Sequence, residues 1–349
     1  MKSKEKCFAV LFISLFVSFR KGIFINMKKN KEGKNCSPIS IGGQAVIEGV
    51  MMKGPEKMAT AVRKADGEIV FDVKESKSFI SKYKLNKIPI LRGFLNFFSS
   101  MFTGVSCLMF SAKQCDLEEE GEQMSKFEKW VLDKFGDKIF DIVMYISVAF
   151  SLVIGVGLFM VLPKLIVEWV SIPFGGINEA ASTLIEGLIR MVIFLSYIIL
   201  ISQMKDIQRV FEYHGAEHKT IFTYEYGDEL TVENVKKHKR FHPRCGTSFL
   251  VLVMIISVIV FLVIGAFAGE MTITEKILWR LATLPLIAGI SYEFIKLAGR
   301  YDNWLTRIIS APGVWLQNFT TREPDESQIE VAIAAFKAVL PENKEDIKW

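Results

Sequence analysis

The four histidines of this 349-residue chain all lie between positions 214 and 242. Two of them stand four residues apart in the order H-x-x-E-H, formed by His214, Glu217 and His218. Successive residues of an α-helix are about 100° apart, so these three side chains would share one face, with the imidazoles one turn apart. Neutral imidazoles suit Zn²⁺, and a nearby carboxylate can take a proton from metal-bound water. The pattern predicts a metal site with Glu217 as candidate general base.

A catalytic zinc site needs three protein ligands and one open position, so two histidines on a single helix are not sufficient. The next candidates are His242 and Cys245 in the sequence FHPRCGTSF. Pro243 predicts an extended turn at this point, and a long apolar segment follows at once. His242 and Cys245 would therefore lie at the membrane surface, where they can meet His214 and His218 if the loop folds back along the bilayer.

Two arrangements of these ligands stay open. If Cys245 joins the three histidines His214, His218 and His242, the zinc site is closed and structural. If the three histidines bind without the cysteine and Glu217 acts as base, the site is open and catalytic. The simpler alternative is two solvated histidines on an amphipathic helix. The confinement of every histidine to one loop that ends in H-x-x-C favours a metal site.

Other charged residues are candidates for supporting the ligands or contacting a substrate. Glu225 lies about two turns beyond His218 on the same predicted helix. Glu293 either faces the helix bundle or pairs with its neighbours Lys296 and Arg300 at the membrane surface. The candidates of this kind are Glu225, Glu293, Arg244 and Glu48.

Two further groups have simpler interpretations. His238 belongs to a short basic helix that Thr231 would cap, and it is predicted to be a surface residue. Glu186 and Arg190 stand four residues apart within an apolar segment, and they are predicted to pair with each other.

The composition places the chain in the membrane class. Half of the residues are hydrophobic and the mean hydropathy is +0.30, which soluble globular proteins rarely reach. The five cysteines form no C-x-x-C pair, which excludes a disulfide framework and predicts that the polar parts face a reducing cytosol. The net charge of +5 is modest, and no nucleic-acid partner is expected.

Four apolar segments are long enough to cross a bilayer as helices, which takes about 20 residues. They are Ile142–Leu162, Leu184–Met204, Phe249–Ala268 and Ile277–Ala298. The loop 205–248 carries eight Lys and Arg residues, whereas the loops 163–183 and 269–276 carry one each. Because Lys and Arg are enriched in cytosolic loops, the histidine loop and both terminal regions are predicted to be cytosolic.

Residues 91–112 are also apolar, with several Ser, Thr and Asn residues among them. Both flanks of this segment belong on the cytosolic side by the charge rule, so parity predicts an interfacial or re-entrant helix rather than a span. The acidic run DLEEEGEQ at 116–123 is predicted to be a solvated loop.

The remaining segments predict a small cytosolic β-rich module and a C-terminal amphipathic helix. Residues 58–75 indicate strand, turn and strand, with Asp66 and Gly67 in the turn. Asp325 is a suitable N-cap for a helix over 323–340, with Gln328 three residues on. The apolar stripe of that helix, which is predicted to pack on the cytosolic module, consists of Ile329, Ile333, Phe336 and Leu340.

The fold class is therefore mainly α, with about four transmembrane helices, one interfacial or re-entrant helix and the β-rich module. An apolar run at 7–19 has three readings: an extension upstream of a misread start, an uncleaved anchor, or an interfacial segment. The predicted division is an N-terminal extension 1–37, the β-rich module 38–90, the interfacial helix 91–112, an acidic connector 113–141, transmembrane helices 142–204, the metal-site loop 205–248, transmembrane helices 249–298 and a C-terminal segment 299–349.

Four motifs in order resemble the YqhQ-like family of uncharacterised bacterial membrane proteins, which are labelled predicted metal-dependent enzymes. They are GGQAVIEGVMM at 42–52, YHGAEHK at 213–219, HPRCGTSF at 242–249 and EPDESQIEVA at 323–332. The resemblance runs from about residue 38 to 340. It implies that the family's metal motifs correspond to His214, Glu217, His218, His242 and Cys245.

These observations lead to three functional hypotheses. The first is a zinc-dependent hydrolase of the bacterial inner membrane, acting at the cytosolic surface on a lipid-like or membrane-associated substrate. The second is a non-catalytic, zinc-stapled membrane scaffold or assembly factor. The third is a small-solute or ion transporter that uses Glu293 and the Glu186–Arg190 pair. The sequence leaves the metal, the substrate and the oligomeric state open.

Overall fold

The computed structural model describes residues 37–76, 88–123, 138–174, 176–268, 271–301, 303–342 and 347. The predicted N-terminal extension, apart from Ser37, and residues 124–137 of the predicted connector lie outside this part. The described residues form four strands and ten α-helices. These are β1 Gly42–Val46, β2 Gly49–Lys53, β3 Lys57–Arg63, β4 Ile69–Glu75, α1 Leu91–Gln123, α2 Lys138–Val156, α3 Leu162–Ser171, α4 Glu179–Ile201, α5 Lys205–Glu225, α6 Val232–Lys237, α7 Gly246–Ala268, α8 Ile273–Arg300, α9 Trp304–Thr320 and α10 Glu326–Ala338.

Within the described residues, five helical segments are long and apolar enough to cross a membrane, so the chain is a multi-pass membrane protein. They are Leu91–Cys115, Tyr145–Ser171, Glu179–Ile201, Gly246–Ala268 and Thr274–Arg300. The last four overlap the four predicted spans. We call α1 to α4, α7 and α8 the helix bundle.

Helix α1 is longer than predicted. The acidic run 116–123 is helical, so its prediction as a loop was wrong. The run is rich in glutamate and contains no proline, and glutamate is a good helix former. Near its start, α1 packs closely on α8, since a Cβ at Gly93 would lie 3.0 Å from the Cα of Gly289. Farther along, Cys107 is buried beside the strand residues Val46 and Met51.

The segment Tyr145–Ser171 is not a uniform helix. Between α2 and α3 it widens into a π-helical turn, Gly157–Val161, and Pro163 lies in the first turn of α3. A proline has no N–H, so Pro163 cannot donate to the carbonyl of Phe159, four residues earlier. The carbonyl of Phe159 thus receives no hydrogen bond from the residue four positions later, and it accepts from Arg190 of α4.

The four strands form one antiparallel sheet in the order β1-β2-β3-β4. The predicted strand–turn–strand is confirmed, and Gly67 in its turn has a φ of 90°, which favours glycine. Helices α5 and α10 pack on this sheet through a core that includes Met52, Tyr213 and Phe336. We call the sheet with α5, α6 and α10 the polar module.

Two predictions about helices in this region have different outcomes. The reciprocal cap of α10 by Asp325 and Gln328 is confirmed, and Ile329, Ile333 and Phe336 of the predicted stripe are buried in the module. The expectation that the histidine helix continues the span that ends near Met204 was wrong, because a turn at 202–204 separates α5 from α4. Helix α9, between α8 and α10, was not predicted.

Candidate metal centre

Helix α5 carries His214, Glu217 and His218 on a face that packs inward. Gly215 lets this face lie close to the chain after α9, since a Cβ there would lie 1.9 Å from the carbonyl oxygen of Arg322. The main chain around residue 322 is held in place because its N–H donates to the carbonyl of Phe211, 2.8 Å away. The glycine inside the H-x-x-E-H pattern therefore brings a second stretch of backbone to the histidines.

Two main-chain carbonyls fix the tautomers of the α5 histidines. Nδ1 of His214 lies 2.7 Å from the carbonyl oxygen of Thr320, and Nδ1 of His218 lies 2.5 Å from that of Arg240. A carbonyl can only accept, so each Nδ1 must carry the proton. In a neutral imidazole this leaves the lone pair on Nε2, which is the state that a metal ligand requires.

Cys245 completes a group of three potential ligands. Its sulfur lies 3.1 Å from Nε2 of His214, and one ligand atom from each of His214, His218 and Cys245 lies within 4.8 Å of the others. His218 and Cys245 are 2% and 7% exposed, and the side chain of His214 is 14% exposed. Two imidazoles and one thiolate are donors that Zn²⁺ favours. The predicted convergence of the two sequence motifs is therefore present.

Glu217 lies beside this group. Its carboxylate oxygen is 3.8 Å from Nε2 of His214 and 3.9 Å from Nε2 of His218. Burial raises the pKa of Glu217 to about 7, although the nearby His214 and a hydrogen bond from the Gly43 N–H oppose the rise. A carboxyl group in this setting can hold or release a proton near neutral pH.

The β1 strand covers Glu217 closely. A Cβ at Gly43 would lie 2.9 Å from Cγ of Glu217 and 2.7 Å from the carbonyl oxygen of Met51. Only a residue without a side chain allows the strand to approach the carboxylate in this way. The glycine-rich motif at 42–52 is therefore part of the wall of the site.

His242 lies next to the group but is turned toward other partners. Its Nε2 is 3.7 Å from a carboxylate oxygen of Glu225, and both ring nitrogens lie near N–H groups of Arg244, at 3.2 and 3.3 Å. Gln317 holds the main chain of His242 through two hydrogen bonds of 2.7 Å. Burial lowers the pKa of His242 to about 4, against an opposing hydrogen bond to Glu225. The three-residue group thus differs from both predicted ligand sets. It lacks His242 of the closed set, and it has Cys245 in place of His242 of the open set.

Glu225 organises the neighbourhood of His242. Its carboxylate accepts from Arg244 and, at 3.0 Å, from the main-chain N–H of Ile39. Burial by itself raises the pKa of Glu225, but the hydrogen bond with His242 and the charge of Arg244 outweigh it and lower the pKa to about 2. The carboxylate is thus held ionised beside His242 and Arg244, and its role in supporting the metal ligands stays a prediction.

Two other predicted candidates lie in separate contacts. Glu48 pairs with Arg209 and accepts from the hydroxyl of Tyr213 at 3.2 Å. Glu293 pairs with Arg92 of α1, with Nε 2.7 Å from a carboxylate oxygen. The sequence alternatives for Glu293 did not include this partner, because they considered only neighbours on α8.

His238 is less exposed than predicted. Its Nε2 lies 2.9 Å from a carboxylate oxygen of Asp228, and its ring stacks on Tyr226. The predicted cap of its short helix by Thr231 is confirmed. His238 therefore supports the loop around α6 and is not part of the three-ligand group.

Sequence reasoning missed the main-chain groups that orient the ligands. The carbonyls of Thr320 and Arg240 and the N–H of Gly43 have no residue-type signature, because any residue could supply them. Gln317 could have been suspected as a polar residue in an otherwise apolar segment. The four motifs quoted above nevertheless meet at this site or directly beside it.

Comparison with known proteins identifies a family whose function is described as unknown. Residues 88–342 match DUF1385, which is described as a protein of unknown function. The chain is also similar to the uncharacterized protein YqhQ of Bacillus subtilis (strain 168), with 34% identity over 313 residues that cover 88% of this chain and 94% of the relative. No solved structure matches the chain.

Proposed function

The chain belongs to the DUF1385 family, whose description names no activity, and we therefore propose a function from the site itself. The protein is a membrane-embedded, metal-dependent enzyme, with zinc as the expected metal. His214, His218 and Cys245 would hold the metal. The reaction would be a hydrolysis at the cytosolic membrane surface, on a lipid-like or membrane-associated substrate.

The fixed tautomers of the two α5 histidines are the observation that carries this proposal. Carbonyl groups from two separate segments each accept a hydrogen bond from the Nδ1–H of one imidazole. The lone pair of each imidazole is thereby on Nε2. Nε2 of His214 lies next to the sulfur of Cys245, and His218 belongs to the same group of three. A pair of solvated histidines on a helix surface would need no such restraint.

Three protein ligands favour a catalytic site over a structural one, since structural zinc sites use four. A zinc ion in this position would act as a Lewis acid that polarises a bound oxygen. Glu217 is the nearest carboxylate to the two Nε2 atoms, and its contacts leave it able to accept a proton there. The N–H of Gly43 would keep the carboxylate oriented toward the ligands.

The position of Cys245 supports a substrate at the membrane surface. The residue directly precedes α7, a highly apolar helix that begins at Gly246. The loop rich in Lys and Arg that contains the ligands would lie on the cytosolic side. In this orientation the second half of α8 and the sheet both lie toward the cytosol. Helix α1 contacts α8 at Gly93 and the sheet at Cys107, so α1 would be interfacial or re-entrant rather than a span.

One observation favours the non-catalytic scaffold as a second candidate. His218, Cys245 and Glu217 are each less than 8% exposed, and β1 lies against Glu217. Structural metal sites are usually closed to solvent and contribute directly to folding. In this alternative, Glu217 would be the fourth ligand of a zinc ion that joins α5 to the start of α7.

Replacement of zinc by Co²⁺ in purified protein separates the two candidates. In the open site, an added anion such as azide enters the coordination sphere and changes the visible spectrum, because one position is free. In the closed site the spectrum does not respond. Glu217→Gln should keep the metal in the catalytic case and should weaken metal binding at least tenfold in the scaffold case, since one ligand is then replaced by a weaker one.

A comparison in the native host tests the catalytic role of Glu217. Lipid extracts of a deletion strain, a Glu217→Gln strain and a Glu330→Gln strain would be compared with wild type. Glu330 is a matched control, because its carboxylate pairs with Arg63 on the outer side of α10, with a side chain that is 53% exposed. The hydrolase predicts the same accumulated species in the deletion and Glu217→Gln strains only. A Glu217→Gln strain that retains the metal and matches wild type would exclude Glu217 as the base.

A further inference from the structure

We infer that the helix bundle contains a second ligand site, which binds an anionic group of the phosphate type. A cavity of about 200 Å³ lies between α3, α4, α7 and α8. Helix α7 begins at Gly246 beside the metal centre, and Phe261, which lines the cavity, is fifteen residues farther along. At 1.5 Å per residue the separation is about 22 Å, so the cavity and the metal centre are different sites.

Buried positive charge exceeds buried negative charge at this cavity. Glu186 accepts from Arg190, with a distance of 2.6 Å, and also from Arg280. Lys164 adds a third cation, and the side chains of all four residues are at most 13% exposed. Lys164, Arg280 and Glu186 line the cavity, and Arg190 pairs with Glu186 from outside the lining. With the more exposed lining residues Glu168, Glu179 and Lys276 included, the whole group has four cations and three carboxylates, a formal surplus of one positive charge. Charged residues within a membrane bundle are expensive to bury, and they mark functional sites by default.

Lys164 is the least well compensated of these cations. Among the described residues its ion-pair partner is Glu168, at 3.7 Å, which is too long for a hydrogen bond. The side chain of Glu168 is 48% exposed, so water screens its charge. The other charged pair at the cavity, Lys276 with Glu179 at 2.6 Å, is neutral overall.

The two guanidinium groups are held by the main chain as well as by Glu186. Nε of Arg190 donates to the carbonyl of Phe159 at 2.8 Å, a group that cannot accept from Pro163 four residues later. Arg280 donates to the carbonyl of Met160 at 3.3 Å, in the same π-helical turn. Both arginines are therefore positioned without any ligand.

Arg280 has more N–H donors than its hydrogen bonds with described residues use. A guanidinium has five N–H donors, and Arg280 uses two of its nitrogens, one for Met160 and one for Glu186, in its hydrogen bonds with described residues. The ring of Phe261 lies 5.4 Å from its carbon Cζ and restricts the guanidinium further. An anion with several acceptor oxygens could use the remaining N–H groups together with the ammonium of Lys164.

The volume and the charge together define the ligand class. Sites for drug-sized molecules are usually about 300–1,000 Å³, so a cavity of about 200 Å³ suits a phosphate group with a small substituent. Such a group could come from the head group of an anionic lipid or from free phosphate. This site does not depend on the function proposed for the metal centre.

Thermal unfolding of the full chain in lipid nanodiscs distinguishes these sources. Three samples would be compared: phosphatidylcholine alone, phosphatidylcholine with phosphatidylglycerol, and phosphatidylcholine with inorganic phosphate. Because a ligand that binds only the folded state raises Tm, we expect a rise of roughly 3 °C or more in at least one of the last two samples. A response to phosphatidylglycerol alone identifies a lipid head group, and a response to inorganic phosphate identifies a free anion. No rise in either sample overturns the inference.

Four variants, one of them a control, show whether the response belongs to this cavity. Lys164→Met should lose it, and Lys164→Arg should keep most of it because the charge remains. Ser182→Leu fills the cavity without a change in charge and should also lose the response, so the inference can be tested even if Lys164→Met does not fold. Lys296→Met, at the other end of α8, is the control and should respond as wild type does. Unchanged responses in Lys164→Met or in Ser182→Leu would contradict the inference.

Discussion

The polar module and the helix bundle each bury a group of polar side chains, and the two groups are unbalanced in opposite directions. At the metal centre, lone pairs converge, from Nε2 of His214 and His218 and from the sulfur of Cys245. In the bundle, N–H donors converge, because the cations around Glu186 outnumber it. The first group is suited to a cation and the second to an anion.

Main-chain carbonyls position the side chains of both groups. In each group, main-chain carbonyls from a neighbouring segment hold the side chains in place. A neutral histidine that donates a hydrogen bond to a carbonyl from one ring nitrogen is an acceptor at the other, whereas an arginine remains a cation with further donors. The type of side chain, rather than the type of contact, therefore decides which ligand a buried site can take.

The largest expected effect is the loss of metal from the polar module. His218→Ala removes a buried ligand, and we expect metal affinity to fall at least 100-fold, as metal analysis of the purified protein would measure. His238→Ala is the matched control, because His238 contacts Asp228 and Tyr226 and should bind metal as wild type does. Equal metal content in the two variants would show that the three-ligand group is not the binding site.

Removal of a buried charge beside the metal centre should have the next largest effect. Glu225→Gln leaves Arg244 without its buried counter-charge, and we expect the free energy of unfolding to fall by about 3–5 kcal/mol. Thermal and chemical unfolding in detergent would measure the change. A loss below about 1 kcal/mol would show that Arg244 finds compensation elsewhere.

The same carboxylate predicts a pH dependence. The pKa of Glu225 is about 2 in the folded protein, below its ordinary value of 4.5. Its contribution to stability is therefore fully present above about pH 4.5 and is lost as pH falls toward 2. The difference in stability between wild type and Glu225→Gln should shrink over this range. A constant difference from pH 6 to pH 3 would contradict the assignment.

A smaller effect is expected from the contact between β1 and Glu217. Gly43→Ala places a methyl group against Glu217 and Met51, and overpacking of this kind costs about 1–3 kcal/mol. Gly42→Ala is the control, since a Cβ there has no heavy atom within 4 Å, and the stability should change by less than about 0.5 kcal/mol. Unfolding curves of the two variants would be compared directly. Equal curves would mean that β1 does not restrain Glu217.

The smallest effect should come from an exposed ion pair, which provides the contrast with the buried groups. The side chains of Lys236 and Glu326 are 46% and 70% exposed where they pair. Lys236→Met should therefore change the free energy of unfolding by less than about 1 kcal/mol. A larger loss would mean that charge pairs matter equally in buried and exposed positions.

The sequence predicted those features that repeat with a regular period or depend on residue type. The four apolar segments, the strand–turn–strand at 58–75 and the cap of α10 have such signatures, and so do the α5 histidines and Cys245. The sequence could not indicate that His242 lies beside His218 without joining the three-ligand group. That outcome depends on Glu225 and Arg244, which compete for its ring, and on Gln317, which holds its main chain.

The features that were missed depend on contacts between distant segments. Arg280 was visible as a charge in an apolar segment, but its pairing with Glu186 depends on how α4 and α8 pack. Pro163 indicates that the carbonyl of Phe159 lacks the usual donor four residues later, yet its acceptance of a hydrogen bond from Arg190 depends on the fold. A glycine within a helix by itself indicates only a local loss of helix stability, whereas the contact of Gly215 with the carbonyl of Arg322 brings a second segment to the site.

The most direct test of the central claim is the metal content and the Co²⁺ spectrum of purified protein prepared without chelator. His214, His218 and Cys245 as ligands predict about one metal ion per chain and, after exchange for Co²⁺, an absorption band from thiolate-to-cobalt charge transfer. Cys245→Ser should lose this band. A metal-free wild type, or a band that persists in Cys245→Ser, would contradict the account.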